Sequence, residues 1–269
     1  MSTLDISIST RPSRAESQGV RLHRFTVNEY HRMREFGVFK KDDPIELLDG
    51  HLYVKLDHGP PYGVPLGIPP EVIAGSGVEP FPQRRFTVDE YHKLMDSAAL
   101  DSALRTELVE GWVVEKMTRN ALHDSTLQYA PHGLRQRIGS GWDLRSQSAV
   151  TMDDGEPEPD IVVVPGPPLR FRHEHPVPSD VGLLIEISDT TLRYNRGPKL
   201  RDYARNSVAR YWILNTNDRV VEVFEDPTGP TELPDYRIRK IYKLGESVPL
   251  LLRDDVMESV PVDELIPPD

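Results

Sequence analysis

Apolar positions along the chain fall into short blocks, and the spacing inside each block separates strands from helices. Ile161 to Val164 (IVVV) is a continuous apolar run, and Leu183 to Ser188 (LLIEIS) is another; both predict strands buried on two faces. Trp112 to Met117 and Ser148 to Met152 predict shorter strands. Tyr211 to Leu214 and Val220 to Phe224 predict a hairpin around Thr216 to Asp218, and residues 236–243 and 248–252 two more strands. Residues 120–138 carry a helical pattern that Pro131 and Gly133 should interrupt. Pro198 suits the first position of a helix running to about Val208. Strands with two or three helices interspersed predict an α/β or α+β sheet domain.

Ahead of this pattern the chain repeats itself. Residues 24–31 read RFTVNEYH and residues 85–92 read RFTVDEYH, an offset of 61. The same offset carries Glu46–Gly50 (ELLDG) onto Glu107–Gly111 (ELVEG). In each copy a Thr stands three residues before a Glu, Thr26 before Glu29 and Thr87 before Glu90, which is the capping-box signature of a helix start. Each helix should lead into a short strand that turns at Gly50 or Gly111. Between the copies, residues 59–82 hold seven Pro and five Gly, so half of these 24 positions break regular structure. The organisation expected is a mobile polar tail at 1–20, an N-terminal repeat module at 21–58, a Pro/Gly-rich linker at 59–83 and a sheet domain at 84–267.

Composition narrows the chemistry. The chain has 269 residues, 32 basic and 43 acidic, for a net charge of −11. A uniformly cationic nucleic-acid sleeve is excluded; a local basic face is not. There is no cysteine, which removes disulfides, thiolate metal sites and cysteine nucleophiles, and fits a reducing, cytoplasmic setting. The longest apolar runs are about four residues, far short of the roughly 20 a membrane span needs.

Two carboxylates stand where apolar residues belong. Asp160 opens the IVVV strand and Glu186 lies inside LLIEIS. An ionised carboxylate buried without a partner costs several kcal/mol, so each needs a cation, a hydrogen-bond cage or a metal. A structural Arg would serve either one singly. Two on neighbouring strands suggest a shared divalent ion, and oxygen ligands without Cys favour Mg²⁺ or Mn²⁺. Just downstream, residues 192–210 carry six cations, among them Arg193, Arg196, Lys199 and Arg201, against the single acid Asp202. Such a run is a solvated helix face or, beside a metal site, a phosphate contact. Five acids at 153–160 read as a solvated loop apart from Asp160, and His173 and His175 as an exposed loop beside Pro176 and Pro178.

The ordered series PDIVVV at 159–164, LIEISDTT at 184–191, NRGPKLRDY at 195–203 and YWILN at 211–215 resembles the Uma-two putative restriction endonucleases of the PD-(D/E)XK nuclease superfamily. FTVDEY at 86–91, ELVEG at 107–111 with His123 after it, GESVPL at 245–250 and VDELIP at 262–267 extend the resemblance over about 84–267. It implies a restriction-endonuclease-like mixed sheet flanked by helices, a Mg²⁺-dependent phosphodiester hydrolase acting on DNA, and a homodimer. It implies Asp160 and Glu186 as metal carboxylates, Lys199 as the displaced catalytic lysine, since Ser188 fills the usual lysine position, and Glu107 and His123 as further site residues. Arg193, Arg196 and Arg201 are the expected DNA contacts. Where many members carry Asp, this chain has Asn195 and Asn215. The competing expectation is a non-catalytic nucleic-acid-binding or protein-interaction module that retains the fold, with Lys199 paired to Glu186 as a buried salt bridge.

Overall fold

The computed structural model describes residues 21–40, 42–54, 83–101, 103–253 and 255–268. The expected tail, residues 55–58 of the N-terminal module and the linker up to residue 82 lie outside the described residues.

Two helix–hairpin units come first. Helix α1 (Val27–Glu35) precedes β1 (Ile45–Leu48) and β2 (His51–Val54); α2 (Val88–Asp96) precedes β3 (Thr106–Val109) and β4 (Trp112–Glu115). Thr26 and Thr87 each accept from the backbone N–H of the Glu three residues on, and that Glu reaches back, so both capping boxes form. Gly50 and Gly111 turn the two hairpins with φ of +77° and +76°. A Cβ at either would stand 2.8 Å from the Cβ of Arg24 or Arg85, so both the left-handed backbone and the close approach require glycine.

The central sheet comes next. Helix α3 (Ala121–Arg135) leads to β5 (Trp142–Ser146), β6 (Ile161–Pro165) and β7 (Leu183–Ser188). A crossover through α4 (Leu192–Tyr194), a π-turn at Asn195–Lys199 and α5 (Leu200–Arg205) returns the chain to β8 (Arg210–Asn215), then β9 (Val220–Pro227) and β10 (Tyr236–Lys243). The six strands lie in the order β10-β9-β8-β7-β6-β5. Only β7 and β8 run parallel, which is the pair the helical crossover joins. The result is a mixed α/β sheet, as the strand pattern predicts.

Both faces of the sheet are buried, which accounts for the unbroken apolar runs. On one face Val163, Ile185, Trp212 and Val221 pack against Leu127, Ala130 and Leu134 of α3 and against the C-terminal segment around Val260 and Leu265. On the other, Val162, Leu184, Tyr211 and Ile213 pack against Leu200, Tyr203 and Ala204. Glu186 shares the second face by strand alternation and so is aimed at the crossover helices.

Four local expectations are corrected. Pro131 and Gly133 do not interrupt α3, which runs through both; Gly133 is where the helix touches Glu264, 3.0 Å from a would-be Cβ. Residues 148–152 form no strand, although Val150 and Met152 still donate to the carbonyls of Pro157 and Gly155. The crossover helix begins at Leu192, ahead of Pro198, whose missing N–H falls within the π-turn. The strand expected at 248–252 is split into β11 (Ser247–Val248) and β12 (Leu251–Leu252), which pair with β14 (Val260–Pro261) and β13 (Asp255–Val256).

Candidate active site

Strands β6 and β7 pair antiparallel, with Ile161 opposite Ile185, so Asp160 and Glu186 arrive at the same end of the sheet. There they line a cleft of about 170 Å³ together with Glu107, His123, Tyr194 and Lys199. Strand β3, helix α3, the residue just before β6, strand β7, helix α4 and the π-turn therefore supply one constellation. The π-turn matters because one residue added to a helix rotates the downstream chain by ~100°, and Lys199 is its last residue.

Lys199 is the hub. It is 2% exposed, and its ammonium donates to Glu107 Oε2 at 2.7 Å, Glu186 Oε1 at 3.0 Å and the Tyr203 hydroxyl at 3.3 Å. All three ammonium protons are thus engaged. Tyr203, one helical turn on, also donates to Glu186 Oε1 at 2.5 Å. Burial pulls the Lys199 ammonium down, but the Glu107 and Glu186 carboxylates outweigh it and hold it above its usual range, so it is a fixed positive charge and not a base.

The acids divide by environment. Glu107 accepts from Lys199, from the Tyr194 hydroxyl at 3.1 Å and from the Glu158 backbone N–H at 3.0 Å. Burial raises its carboxyl, yet the Lys199 and Lys116 charges and these hydrogen bonds bring it below the ordinary carboxylate range. Burial pushes Glu186 up to about 7, with Lys199 opposing and Asp160 and Glu107 adding to the rise. Asp160 Oδ2 accepts from the Ile187 backbone N–H at 2.8 Å and meets His123 Nε2 at 3.1 Å. Burial lowers the His123 imidazole, but Asp160 more than compensates, leaving it above its usual value.

These hydrogen bonds fall on one oxygen of each metal candidate, Asp160 Oδ2 and Glu186 Oε1, and leave Asp160 Oδ1 and Glu186 Oε2 for another partner. Two carboxylate oxygens at a cleft are hard ligands of the kind Mg²⁺ takes while retaining several waters. No cluster of three or more acidic or His side chains in ligating geometry occurs among the described residues. An ion held by these two carboxylates would draw the rest of its shell from water or substrate.

Glu107, His123, Asp160, Glu186 and Lys199 are thus brought together. Arg193, Arg196 and Arg201 do not line the cleft. Arg196 forms a two-pronged pair with Glu222 at 2.8 and 2.6 Å, and Arg201 lies 3.5 Å from Glu110. The cations that do line it are Arg21, Arg105, Lys116 and Arg119 besides Lys199. Sequence reasoning missed Tyr194 and Tyr203; the four-residue step from Lys199 to Tyr203 carried the signal. It also placed Glu156 in solvent, whereas Glu156 is buried against His92 at 2.9 Å and Thr151 at 2.7 Å. Asn195 and Asn215 act as amide donors, to Ser188 Oγ at 2.7 Å and to Asp218 at 2.8 Å and Glu222 at 3.2 Å, roles a carboxylate cannot fill.

Comparison with known proteins bears on this arrangement. The family model described as putative restriction endonuclease, Uma2, matches residues 88–256. The crystal structure of a putative nuclease belonging to DUF820 from Anabaena variabilis ATCC 29413 aligns with a TM-score of 0.47 at 15% identity, over 67% of this chain and 97% of that one. No curated protein matches the chain. The family match spans well over half of the sequence and takes in Glu107, His123, Asp160, Glu186 and Lys199, so the chain belongs to the Uma2 family of putative restriction endonucleases.

Proposed function

We propose that the protein is a divalent-metal-dependent nuclease that hydrolyses DNA phosphodiester bonds at the Asp160–Glu186–Lys199 cleft. The observation that carries this reading is a buried, permanently charged lysine between two carboxylates, beside a third carboxylate with an oxygen to spare. Asp160 and Glu186 would hold Mg²⁺ or Mn²⁺. When bound, the ion would polarise the scissile phosphate and acidify an attacking water.

The chain's own residues have defined tasks. Lys199 supplies positive charge where negative charge develops on the phosphate, in a buried setting where that charge counts for more than in water. Glu107, held by Tyr194 and the Glu158 N–H, fixes the ammonium in place. His123 and the Ile187 N–H hold Asp160 by its Oδ2, so that its Oδ1 would serve the ion.

One observation favours a second reading, a retained fold without catalysis. Lys199 has no donor left over, as expected of a purely structural ion pair. Thermal melts with and without Mg²⁺, combined with a plasmid-cleavage assay, decide. For the nuclease, metal at a hundredfold excess over Kd adds roughly 2.7 kcal/mol of stability. Glu186→Gln removes both that gain and cleavage. For the structural pair, Mg²⁺ shifts no melt and no plasmid is cut.

A further inference from the structure

The two helix–hairpin units do more than repeat: they contact each other reciprocally. Leu22 pairs with Val114, and Gln83 pairs with Tyr53, as isolated antiparallel bridges. The 61-residue offset converts one pair into the other. His23 N–H donates to the Val113 carbonyl at 2.9 Å, and its counterpart Arg84 N–H donates to the Leu52 carbonyl, counterpart of Val113, at 2.7 Å. Phe25 and Phe86, the same position in the two copies, meet with ring centroids 5.5 Å apart. Around them one buried cluster holds both members of four further pairs: Met33 with Leu94, Val38 with Ala99, Phe39 with Leu100, and Leu52 with Val113.

A contact in which i touches j while the copy of j touches the copy of i, with a residue meeting its own counterpart at the centre, is the pattern of a two-fold homodimer interface. Here it is drawn from a single chain. The 83–115 unit also suits a second copy of itself. In such a pairing the backbone bonds recur unchanged, and Arg84 would meet Glu115, which His23 now meets at 3.1 Å. Phe86 would meet Phe86.

We propose that residues 21–54 stand in for a partner subunit: they occupy the self-complementary face of the 83–115 unit and thereby keep the full chain from pairing through it. This does not rest on the nuclease reading, because its test reads mass and not activity.

The chain contains no native cysteine, so introduced thiols have no competitors. Leu22→Cys with Val114→Cys in the full chain should, on oxidation, give a cross-link at monomer mass; a cross-link at dimer mass overturns the proposal. Light scattering should find the wild type monomeric. Phe25→Asp, which evicts the N-terminal copy and leaves the other face intact, should double the mass. Adding Gln83→Cys and Val114→Cys to it should link two chains. Phe86→Asp, which spoils the face itself, should stay monomeric. A folded Phe25→Asp chain that remains monomeric at tens of micromolar overturns the proposal. Should circular dichroism show Phe25→Asp unfolded, Leu22→Asp at the edge of the same face repeats the comparison with the same expected outcomes.

Discussion

At the residue scale the molecule's most telling groups are its buried charges, and they are handled in two ways. In the cleft, acids are matched to donors one by one. Under α5 the solution differs. Asp202 is fully buried, its Oδ2 has no hydrogen-bond partner, and the same oxygen lies 3.2 Å from where a Cβ on Gly155 would sit. Burial first, then Asp154 and Glu110, drives its carboxyl well above the usual range. A carboxyl raised by folding contributes full stability below its unfolded pKa and loses it as pH rises toward the folded value. The wild type should therefore lose stability from mildly acidic to neutral and alkaline pH partly through Asp202. Asp202→Asn, equal in size and uncharged, should flatten that loss. Melting temperatures of both proteins at pH 5 and pH 8 check this: the variant's advantage should grow with pH, and an advantage that is constant or shrinks contradicts it.

Elements were legible in proportion to how local their causes are. Capping boxes, glycine turns and the doubly buried strands depend on neighbours in sequence, and these were readable from Thr26, Thr87, Gly50, Gly111 and the IVVV and LLIEIS runs. The π-turn was not, because Pro198 within it reads equally well as the first position of a helix, and the partners its Lys199 reaches, Glu107 and Glu186, lie elsewhere in the sequence. Glu156 was misread for the same reason: its partner His92 is 64 residues away. Of the candidate site, the five residues gathered in the cleft were readable, whereas the two tyrosines that fix them were not singled out. The turn glycines give a direct test of element-level strain. Gly111→Ala combines a positive φ with a Cβ 2.8 Å from that of Arg85. It should cost about 1–3 kcal/mol, with Gly37→Ala, at positive φ but with no atom within 4 Å, costing less. Denaturant midpoints of the two variants give the comparison.

For the whole molecule, a net charge of −11 must coexist with a polyanionic substrate under the proposed activity. The run at 192–210 does not resolve this, since Arg193, Arg196 and Arg201 lie off the cleft. Arg21, Arg105 and Arg119 do line it, while pairing with Glu115 at 4.0 Å, Glu158 at 3.9 Å and Asp124 at 3.3 Å; of these three arginines the first is contributed by the N-terminal segment. Replacing these three by Gln should weaken duplex binding for every sequence and lower the salt slope by about 0.9 per phosphate no longer neutralised. The Arg193, Arg196, Arg201 triple variant should change the slope less. Titrations at several salt concentrations rank the two; a larger change from the second set would locate the substrate on the crossover helices.

The paired units differ in what stands behind them. Glu107 of the second copy faces Asp160, Glu186 and Lys199, whereas its counterpart Glu46 in the first has no equivalent of that trio anywhere in the sequence. Under the proposed activity, the two related units would carry one hydrolytic centre where a symmetric pair would carry two. Duplex DNA has two backbones of opposite polarity, and one centre attends to one of them at a time. With the proposed activity, supercoiled plasmid should first relax to the open circle, and linear product should arise only from a second, independent encounter. A gel time course shows which: linear product rising without a lag alongside the open circle would mean that two centres act together.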